Sequence, residues 1–228
     1  MVVAVHQPNY LPWLGFFHKI DKCDTFVFLD NVQYEKREFQ NRNKIRTKED
    51  FHWLTVPVIT KGLYTQTIRE VLVDNTQEWQ KTHWGLISTN YGNSPYFSEH
   101  RKFFSEVYAQ TWVRLVDLNV SCINYILDYL GIKKPVCFES SIGIQSFHTQ
   151  RIIDICRKLN ADTYLSGLGA KEYLEEDKFK EASIKLAYQD FVHPEYKQVY
   201  SPFIPQMSII DLIFNCGKEG INILRGQK

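Results

Sequence analysis

The sequence predicts an α/β fold: a mostly parallel sheet of the nucleotide-binding, three-layer kind, with an inserted helical layer. Residues 1–5 and 25–29 are short apolar runs, which are typical of strands buried on both faces. Between them, residues 13–20 space apolar side chains as a packed helix does. Strands joined by a helical crossover pair in parallel, so His6 and Asp30, which follow the two runs, are expected at one edge of the sheet.

The middle of the chain changes from a polar segment to helices. Residues 34–48 predict a polar, basic loop, and two strands are expected after it, at 52–58 and 67–73. Aromatic and aliphatic residues then recur at three-four spacing, which favours helices. The expected helices are 77–91, 99–110 and 113–129. We interpret this stretch, about 75–130, as a helical insertion in a single α/β domain spanning residues 1–228.

The α/β pattern returns after the helices. Strands are expected at 135–140 and 163–165, on either side of an amphipathic helix at 149–159. Ser146 or Thr149 is the expected N-cap of that helix. A short helical stretch through residue 174 and a helix beginning near residue 206 complete the prediction.

Composition excludes several classes of protein. With 228 residues, 44% of them hydrophobic, the chain can bury a substantial core. Its 27 basic and 26 acidic side chains leave a net charge of +1, which gives no overall field for nucleic acid or an anionic membrane. The sequence has no long apolar run and no signal peptide pattern, so we expect a cytoplasmic protein without a membrane span. Five cysteines without C-x-x-C spacing predict reduced thiols and no metal site.

The strongest local signal is the segment HQPNYLPWLG, residues 6–15. A strand that ends in His6 and continues into a turn with Pro8 and Pro12 displays polar groups on a rigid backbone. An imidazole in that position can transfer protons near neutral pH. The alternative is that His6 only bonds a neighbouring carbonyl and that Trp13 fills core.

The basic loop at residues 34–48 has the composition of an anion site. Cations and aromatic or amide side chains alternate in it: Tyr34, Lys36, Arg37, Phe39, Gln40, Asn41, Arg42, Asn43, Lys44 and Arg46. Such cations bind pyrophosphate oxygens, and the aromatic faces can stack on a base or sugar. The combination favours a nucleotide-sugar, and a solvated charged loop is the alternative.

Two further polar clusters lie in the second half of the chain. Ser166 and Gly167 begin the segment SGLGA, whose backbone N–H groups can hold a phosphate or carboxylate, although a plain tight turn is equally compatible. His193 precedes a predicted helix on which Ser208, Asp211 and Asn215 share one face. Asp211 there either orients a histidine or caps buried backbone.

Several of these motifs, in this order, resemble the WbqC-like protein family. The matching segments are HQPNYLPWLGFFHKI, DTFVFLDNVQYEKREFQNRNKI, WLTVPV, YLSGLGAKEYL, HPEYKQ and FIPQMSIIDLIFNCG. Residues 75–140 are less diagnostic. Around residue 145 the family commonly has a lysine before Ser or Thr, whereas this chain has Gln145 and Ser146, so any role of that lysine does not transfer.

The resemblance implies an enzyme of bacterial surface-polysaccharide (O-antigen) precursor biosynthesis. The implied reaction is acyl or aminoacyl transfer to the amine of a nucleotide-linked amino sugar. The expected catalytic residues are His6, His193 and Asp211. The expected substrate-binding residues are Gln7, Tyr10, Trp13, Lys19, Asp30, Arg37, Asn41, Arg42, Lys44, Ser166, Gly167 and Tyr173. The expected partner is the nucleotide-linked sugar or another nucleotide.

Two other functions stay open. A nucleotidylyl or phosphoryl transferase would also carry a histidine in its first turn, but this chain lacks the H-x-G-H element of such enzymes. A non-catalytic nucleotide-sugar-binding protein would need only the loop. The sequence leaves the cofactor, the acyl donor and the oligomeric state, a homo-oligomer included, undetermined.

Overall fold

The computed structural model describes residues 1–226; residues 227 and 228 of the expected domain lie outside the described part. The strands are β1 (Val2–His6), β2 (Thr25–Phe28), β3 (Arg42–Arg46), β4 (Phe51–Thr55), β5 (Val136–Phe138), β6 (Thr163–Ser166) and β7 (Lys185–Tyr188). The helices are α1 (Leu14–Lys22), α2 (Trp79–Tyr91), α3 (Phe97–Ala109), α4 (Leu115–Leu130), α5 (Glu139–Ile142), α6 (His148–Lys158), α7 (Glu176–Glu181), α8 (Ile209–Cys216) and α9 (Gly220–Leu224). Every helix within residues 1–226 is too short or too polar for a bilayer crossing.

A five-stranded parallel sheet organises the molecule, which confirms the predicted α/β fold. Its order is β5-β2-β1-β6-β7, and each neighbouring pair is parallel. From β1 the chain builds outward through β2 and β5, then returns to the other side of β1 with β6 and β7. The order therefore reverses between β1 and β6, and ligands of open α/β sheets bind at the carboxyl ends of the strands beside such a reversal.

Both faces of the sheet are covered by helices. Ala4, Phe26 and Phe28 point into a large core that includes residues of α1, α2, α3, α4 and α8. Val3 and Val27 point the other way, into a smaller core built with α6 and α7. Alternate side chains thus serve opposite cores, as a sheet buried on both faces requires.

The region between β2 and α2 differs from the prediction. Part of the expected loop, Arg42–Arg46, is a strand that pairs antiparallel with β4. Asn43 and Ile45 are buried, while Arg42 and Lys44 are partly exposed. Side chains therefore alternate between buried and exposed, as in a strand, but the high charge of the segment made it resemble a loop in sequence. The strand expected at 67–73 is wrong: Ile68–Glu70 is a 3₁₀ turn, in which the Glu70 side chain accepts a hydrogen bond from the Thr67 backbone N at 2.8 Å.

The N-cap expected for the helix at 149–159 is also wrong. The helix α6 begins at His148 after Phe147, which makes no side-chain cap. Ser146 instead donates to Asp154 at 2.7 Å, and Thr149 accepts from the backbone N of Glu175 at 3.2 Å. The elements α7 and β7 were not predicted.

Candidate functional site

Polar residues line the carboxyl edge of the parallel sheet. In spatial order across the edge, one such residue ends each strand or follows it within two residues: Glu139, Asp30, His6, Ser166 and Gln189. His6 and Ser166 end the two strands that flank the reversal point. The edge therefore gathers residues from five separate parts of the chain.

His6 carries one free ring nitrogen. Its Nδ1 lies 2.9 Å from the carbonyl oxygen of Gln7, and because a carbonyl only accepts, Nδ1 holds the proton and Nε2 has the lone pair. Within residues 1–226 no protein group bonds Nε2. Burial, and then the charge of Lys19, lower the pKa of His6 to about 3. The ring also packs edge-on against Phe16, so His6 is a neutral, well-positioned imidazole.

Lys19 reaches the same edge from α1. Its side chain is 4% exposed, and Nζ donates to the carbonyl of Val5 at 3.4 Å. Burial lowers the pKa of Lys19 to about 8. Gly167 faces it from the other side of the reversal point, where an added Cβ would lie 3.7 Å from Nζ. His6, Lys19 and Gly167 thus form one cluster, which joins three of the sequence-predicted residues.

Two buried asparagines fix the turn that follows His6. Asn43 of β3 donates to the carbonyls of Tyr10 and Leu11 at 3.3 and 2.8 Å. Leu11 has a φ of 42°, an unfavourable conformation for leucine that these bonds hold in place. Asn119 of α4 donates to the carbonyls of Pro8 and Gln40 at 2.9 and 2.7 Å. The hairpin formed by β3 and β4 therefore supports the turn. So does α4, which belongs to the helical layer of α2, α3 and α4.

Gln7 is oriented by Gln40, which lies in the loop before β3. The amide nitrogen of Gln40 donates to Gln7 Oε1 at 2.8 Å, while Gln40 Oε1 accepts from the backbone N of Glu35 at 3.0 Å. These two bonds fix which end of each amide is which. The Gln7 amide nitrogen is left to donate elsewhere.

The outer face of the hairpin combines cations with aromatic rings. The Arg42 guanidinium lies 4.5 Å from the centre of the Trp53 ring, and Lys44 Nζ lies 4.9 Å from that of Phe51. Arg42 also donates to the carbonyl of the exposed Arg37. Asn41, by contrast, is buried and donates to the carbonyl of Val56 at 2.8 Å. The face offers Arg42, Lys44 and Arg37 to a ligand but does not offer the Asn41 amide.

Tyr10 and Trp13 have different surroundings from those expected of ligand-binding residues. Tyr10 is fully buried, and its hydroxyl lies 3.0 Å from His83 Nδ1 and 2.5 Å from the Tyr108 hydroxyl. It connects the turn to the helical layer, so we leave it out of the candidate site. Trp13 lies over Gly15, where an added Cβ would collide with the indole ring. The Trp13 ring is nearly parallel to the His193 ring, with 6.4 Å between the ring centres.

His193 has both ring nitrogens engaged. Nδ1 donates to the carbonyl of Pro194 at 2.9 Å, and Nε2 accepts from the backbone N of Gln206 at 3.0 Å. Burial lowers the pKa of His193. Compared with His6, it lacks a free nitrogen for a substrate.

Asp211 is the centre of a buried network rather than a partner of a histidine. It accepts from Tyr91 at 3.0 Å, Tyr196 at 2.7 Å and Gln198 at 2.8 Å, and it is fully buried. Burial raises the pKa of Asp211, and the three donors oppose that rise. Of the two roles considered for this residue, the geometry favours the structural one.

Asp30 is bonded to the N-terminal turn of α5. It accepts from the backbone N of Ser140 at 2.9 Å and from the Ser140 hydroxyl at 2.6 Å. Next to it, Glu139 is fully buried and paired with Arg151 at 3.4 Å. Burial raises the pKa of Glu139 more than Arg151 lowers it. This pair was not predicted, because Glu139 lies within the strand expected at 135–140, whereas the observed strand β5 ends at Phe138.

The remaining sequence-predicted residues contribute less. Ser166 is buried and donates to the carbonyl of Gly167 at 3.2 Å. Tyr173 is 70% exposed in the segment after β6. Two surface cavities, of about 410 and 470 Å³, lie elsewhere. The first is lined by residues of α2, α3 and the loop between them, such as Trp84 and Arg101, and the second by residues such as Lys22 and Lys134 at the opposite edge of the sheet.

Comparisons with known proteins cover nearly the whole chain. The model of the WbqC-like protein family matches residues 7–223. The uncharacterized protein Rv1507c of Mycobacterium tuberculosis (strain ATCC 25618 / H37Rv) is 37% identical over 225 residues, which are 98% of this chain and 97% of that protein. No solved structure matches. Because the family model matches nearly the whole chain, the chain belongs to the WbqC-like protein family.

Proposed function

We propose that this protein is an enzyme that transfers an acyl or aminoacyl group to the amine of a nucleotide-linked amino sugar. Membership in the family suggests a role in polysaccharide-related biosynthesis. The observation that carries the proposal is the neutral His6, with Nε2 free, beside Lys19 at the reversal point of the sheet. An amine acceptor needs such a lone pair to orient and receive its proton.

The reaction forms a bond between the sugar nitrogen and the acyl carbon, and the donor's leaving group departs. His6 Nε2 accepts a hydrogen bond from the attacking amine. With a pKa of about 3 the free protein's His6 is a weak base. An anionic substrate beside Lys19 raises that pKa, because negative charge stabilises the imidazolium. The Gln7 amide nitrogen donates to the oxyanion of the tetrahedral intermediate.

The nucleotide end of the substrate is assigned to the outer face of the hairpin. Arg42 and Lys44 bind the pyrophosphate, and Trp53 or Phe51 offers a ring to the base. Tyr10 N donates to the carbonyl of Phe39 at 3.1 Å, so the loop before β3 is attached to the His6 turn. Binding energy from this remote part of the substrate can then position the amine at His6.

The proposal is tested by turnover with defined substrates. The protein is incubated with nucleotide-linked amino sugars and with acyl thioesters or aminoacyl donors, and the amide product is measured by mass spectrometry. Loss of a general base typically slows a reaction about a hundred- to ten-thousand-fold, which is the expected effect of His6→Gln. His52→Gln, at an exposed histidine of β4, is the matched control and should retain the wild-type rate.

Other outcomes would contradict the proposal. Release of pyrophosphate from a nucleoside triphosphate would identify a nucleotidylyl transferase. Tight binding of nucleotide-sugars with no product from any donor would identify a binding protein. A folded His6→Gln variant with a near-normal rate would remove His6 from the mechanism.

A further inference from the structure

Lys19 is a buried amine without a carboxylate partner. Within residues 1–226 no Asp or Glu lies within 4.0 Å of its Nζ, and the carbonyl of Val5 is its single hydrogen-bond acceptor. An ammonium group has three donors, so two of them are unused. Burying such a charge without compensation is unfavourable by several kcal/mol in general. When Lys19 is protonated, its charge is therefore not balanced by any carboxylate within residues 1–226.

Bare backbone faces the Lys19 amine at Gly167. An added Cβ on Gly167 would lie 3.7 Å from Nζ, in ordinary van der Waals contact, so no side chain of Gly167 separates the backbone from the amine. The free Nε2 of His6 is at the same end of β1. A compact anion placed here would contact the Lys19 ammonium and bare backbone.

We propose that an anionic group of the substrate, a phosphate or a carboxylate, binds between Lys19, His6 and Gly167, and that Lys19 takes up a proton as this anion binds. This inference rests on the proposed function for the position of the substrate at this edge of the sheet. The binding of simple anions tests the site without any acyl transfer.

The charged surroundings of Lys19 favour an anion. On β1 the neighbouring titratable group is His6, which is neutral. Directly after α1 it is Cys23, whose own pKa is raised to about 11 by burial. Ser166 and Gly167 carry no charge. From the segment after β7, Asp190 acts on His18, which is buried on α1, rather than on Lys19. From the segment after β2, Asp30 is bonded to Ser140. Within residues 1–226 no carboxylate affects the pKa of Lys19.

The direction of proton transfer follows from the pKa of Lys19, about 8 in the free protein. A bound anion stabilises the ammonium form and raises that pKa. At pH 6 Lys19 is already protonated, so little uptake is expected. At pH 8.5 roughly three quarters of the molecules carry a neutral Lys19, and each takes up a proton on binding.

Calorimetry in buffers of different ionisation enthalpy measures this uptake. The probes are sulfate, which stands in for a phosphate and does not titrate in this range, and acetate, at pH 6 and 8.5. Lys19→Met is expected to weaken binding at least tenfold and to abolish the uptake. The variant should unfold at the wild-type temperature or above it, because methionine fills the volume without a buried charge. Lys22→Met, at an exposed lysine of the same helix, should retain both properties.

The two probes separate the sources of the anion. Uptake with sulfate alone assigns the site to a phosphate, and uptake with acetate alone assigns it to a carboxylate. Absence of uptake with both probes, or wild-type binding by a folded Lys19→Met variant, would overturn the inference. Proton uptake in a protein that shows no acyl transfer would support this site and refute the proposed function.

Discussion

A glutamine in place of His6 changes how the free energy of unfolding depends on pH. The fold lowers the pKa of His6 from 6.5 to about 3, chiefly by burial. In the unfolded chain the same imidazole titrates near its ordinary value, so between these two pH values the unfolded state binds the proton first. The folded protein therefore loses stability as the pH falls through this window, and His6→Gln removes that loss.

The size of the effect follows from the shift. Each pH unit below the unfolded pKa costs the wild-type protein about 1.4 kcal/mol through this one group. Between pH 7 and pH 5 the loss attributable to His6 is about 2 kcal/mol, an upper value because the side chain is partly exposed. Domains of this kind have a total stability of about 5–15 kcal/mol, so the change is measurable.

Urea denaturation of both proteins at pH 7, 6 and 5 is the assay. The stability advantage of the wild type over His6→Gln should shrink by about 2 kcal/mol across the series. Val27→Ala removes apolar volume on the other face of the sheet from His6. Its free energy of unfolding should differ from that of the wild type by the same amount at all three pH values. If the His6→Gln difference were equally constant, the histidine would not be held neutral and the electrostatic description of the site would be refuted.

Four further variants separate binding residues from structural ones. Arg42→Ala and Lys44→Ala should each weaken nucleotide-sugar binding severalfold, as measured by calorimetry, and the effect should be larger at low salt than at high salt. The free energy of unfolding should change by less than about 0.5 kcal/mol. Unchanged affinity in both variants would mean that this face of the hairpin is only a solvated surface. Tyr10→Phe should lower the free energy of unfolding by about 1–2 kcal/mol, without changing ligand affinity, because it removes a buried shared hydroxyl; lost affinity at full stability would return Tyr10 to the site. Asp211→Asn should cost about 1–3 kcal/mol in urea denaturation, since three donors lose a charged acceptor, and an unchanged midpoint would contradict this.

The sheet was predictable where the sequence alternates between apolar runs and turns. Residues 1–5 and 25–29 have no charged member, so their burial and parallel pairing followed directly. The strand β3 could not be recognised, because three of its five residues are cations. Its inward positions, Asn43 and Ile45, become informative only once the partner strand is known. The short β7 was hidden for a related reason, since none of its residues is fully buried.

The candidate site was predictable only in part. His6 was expected at the strand end, and Lys19 was expected from the family resemblance alone; the structure adds that α1 brings Lys19 back to the carbonyl of Val5, beside His6. The bonds that shape the site join residues far apart in sequence, such as Gln40 with Gln7, and no local pattern indicates them. Tyr10 shows the converse limit: an aromatic residue in a turn can face solvent or core, and the helical layer that covers it decides which.

The two hydrogen bonds of Asn119 bear on when, during folding, the turn after β1 becomes rigid. They join Pro8 and Gln40 to a helix that begins more than 100 residues after the first strand. Contacts of such long sequence separation form late, because the chain entropy of closing large loops must be overcome first. A chain emerging from the ribosome can therefore build β1 and the hairpin well before the turn between them becomes rigid. The turn after β1 should therefore become rigid only after α4 has docked, when more than half of the chain has been synthesised.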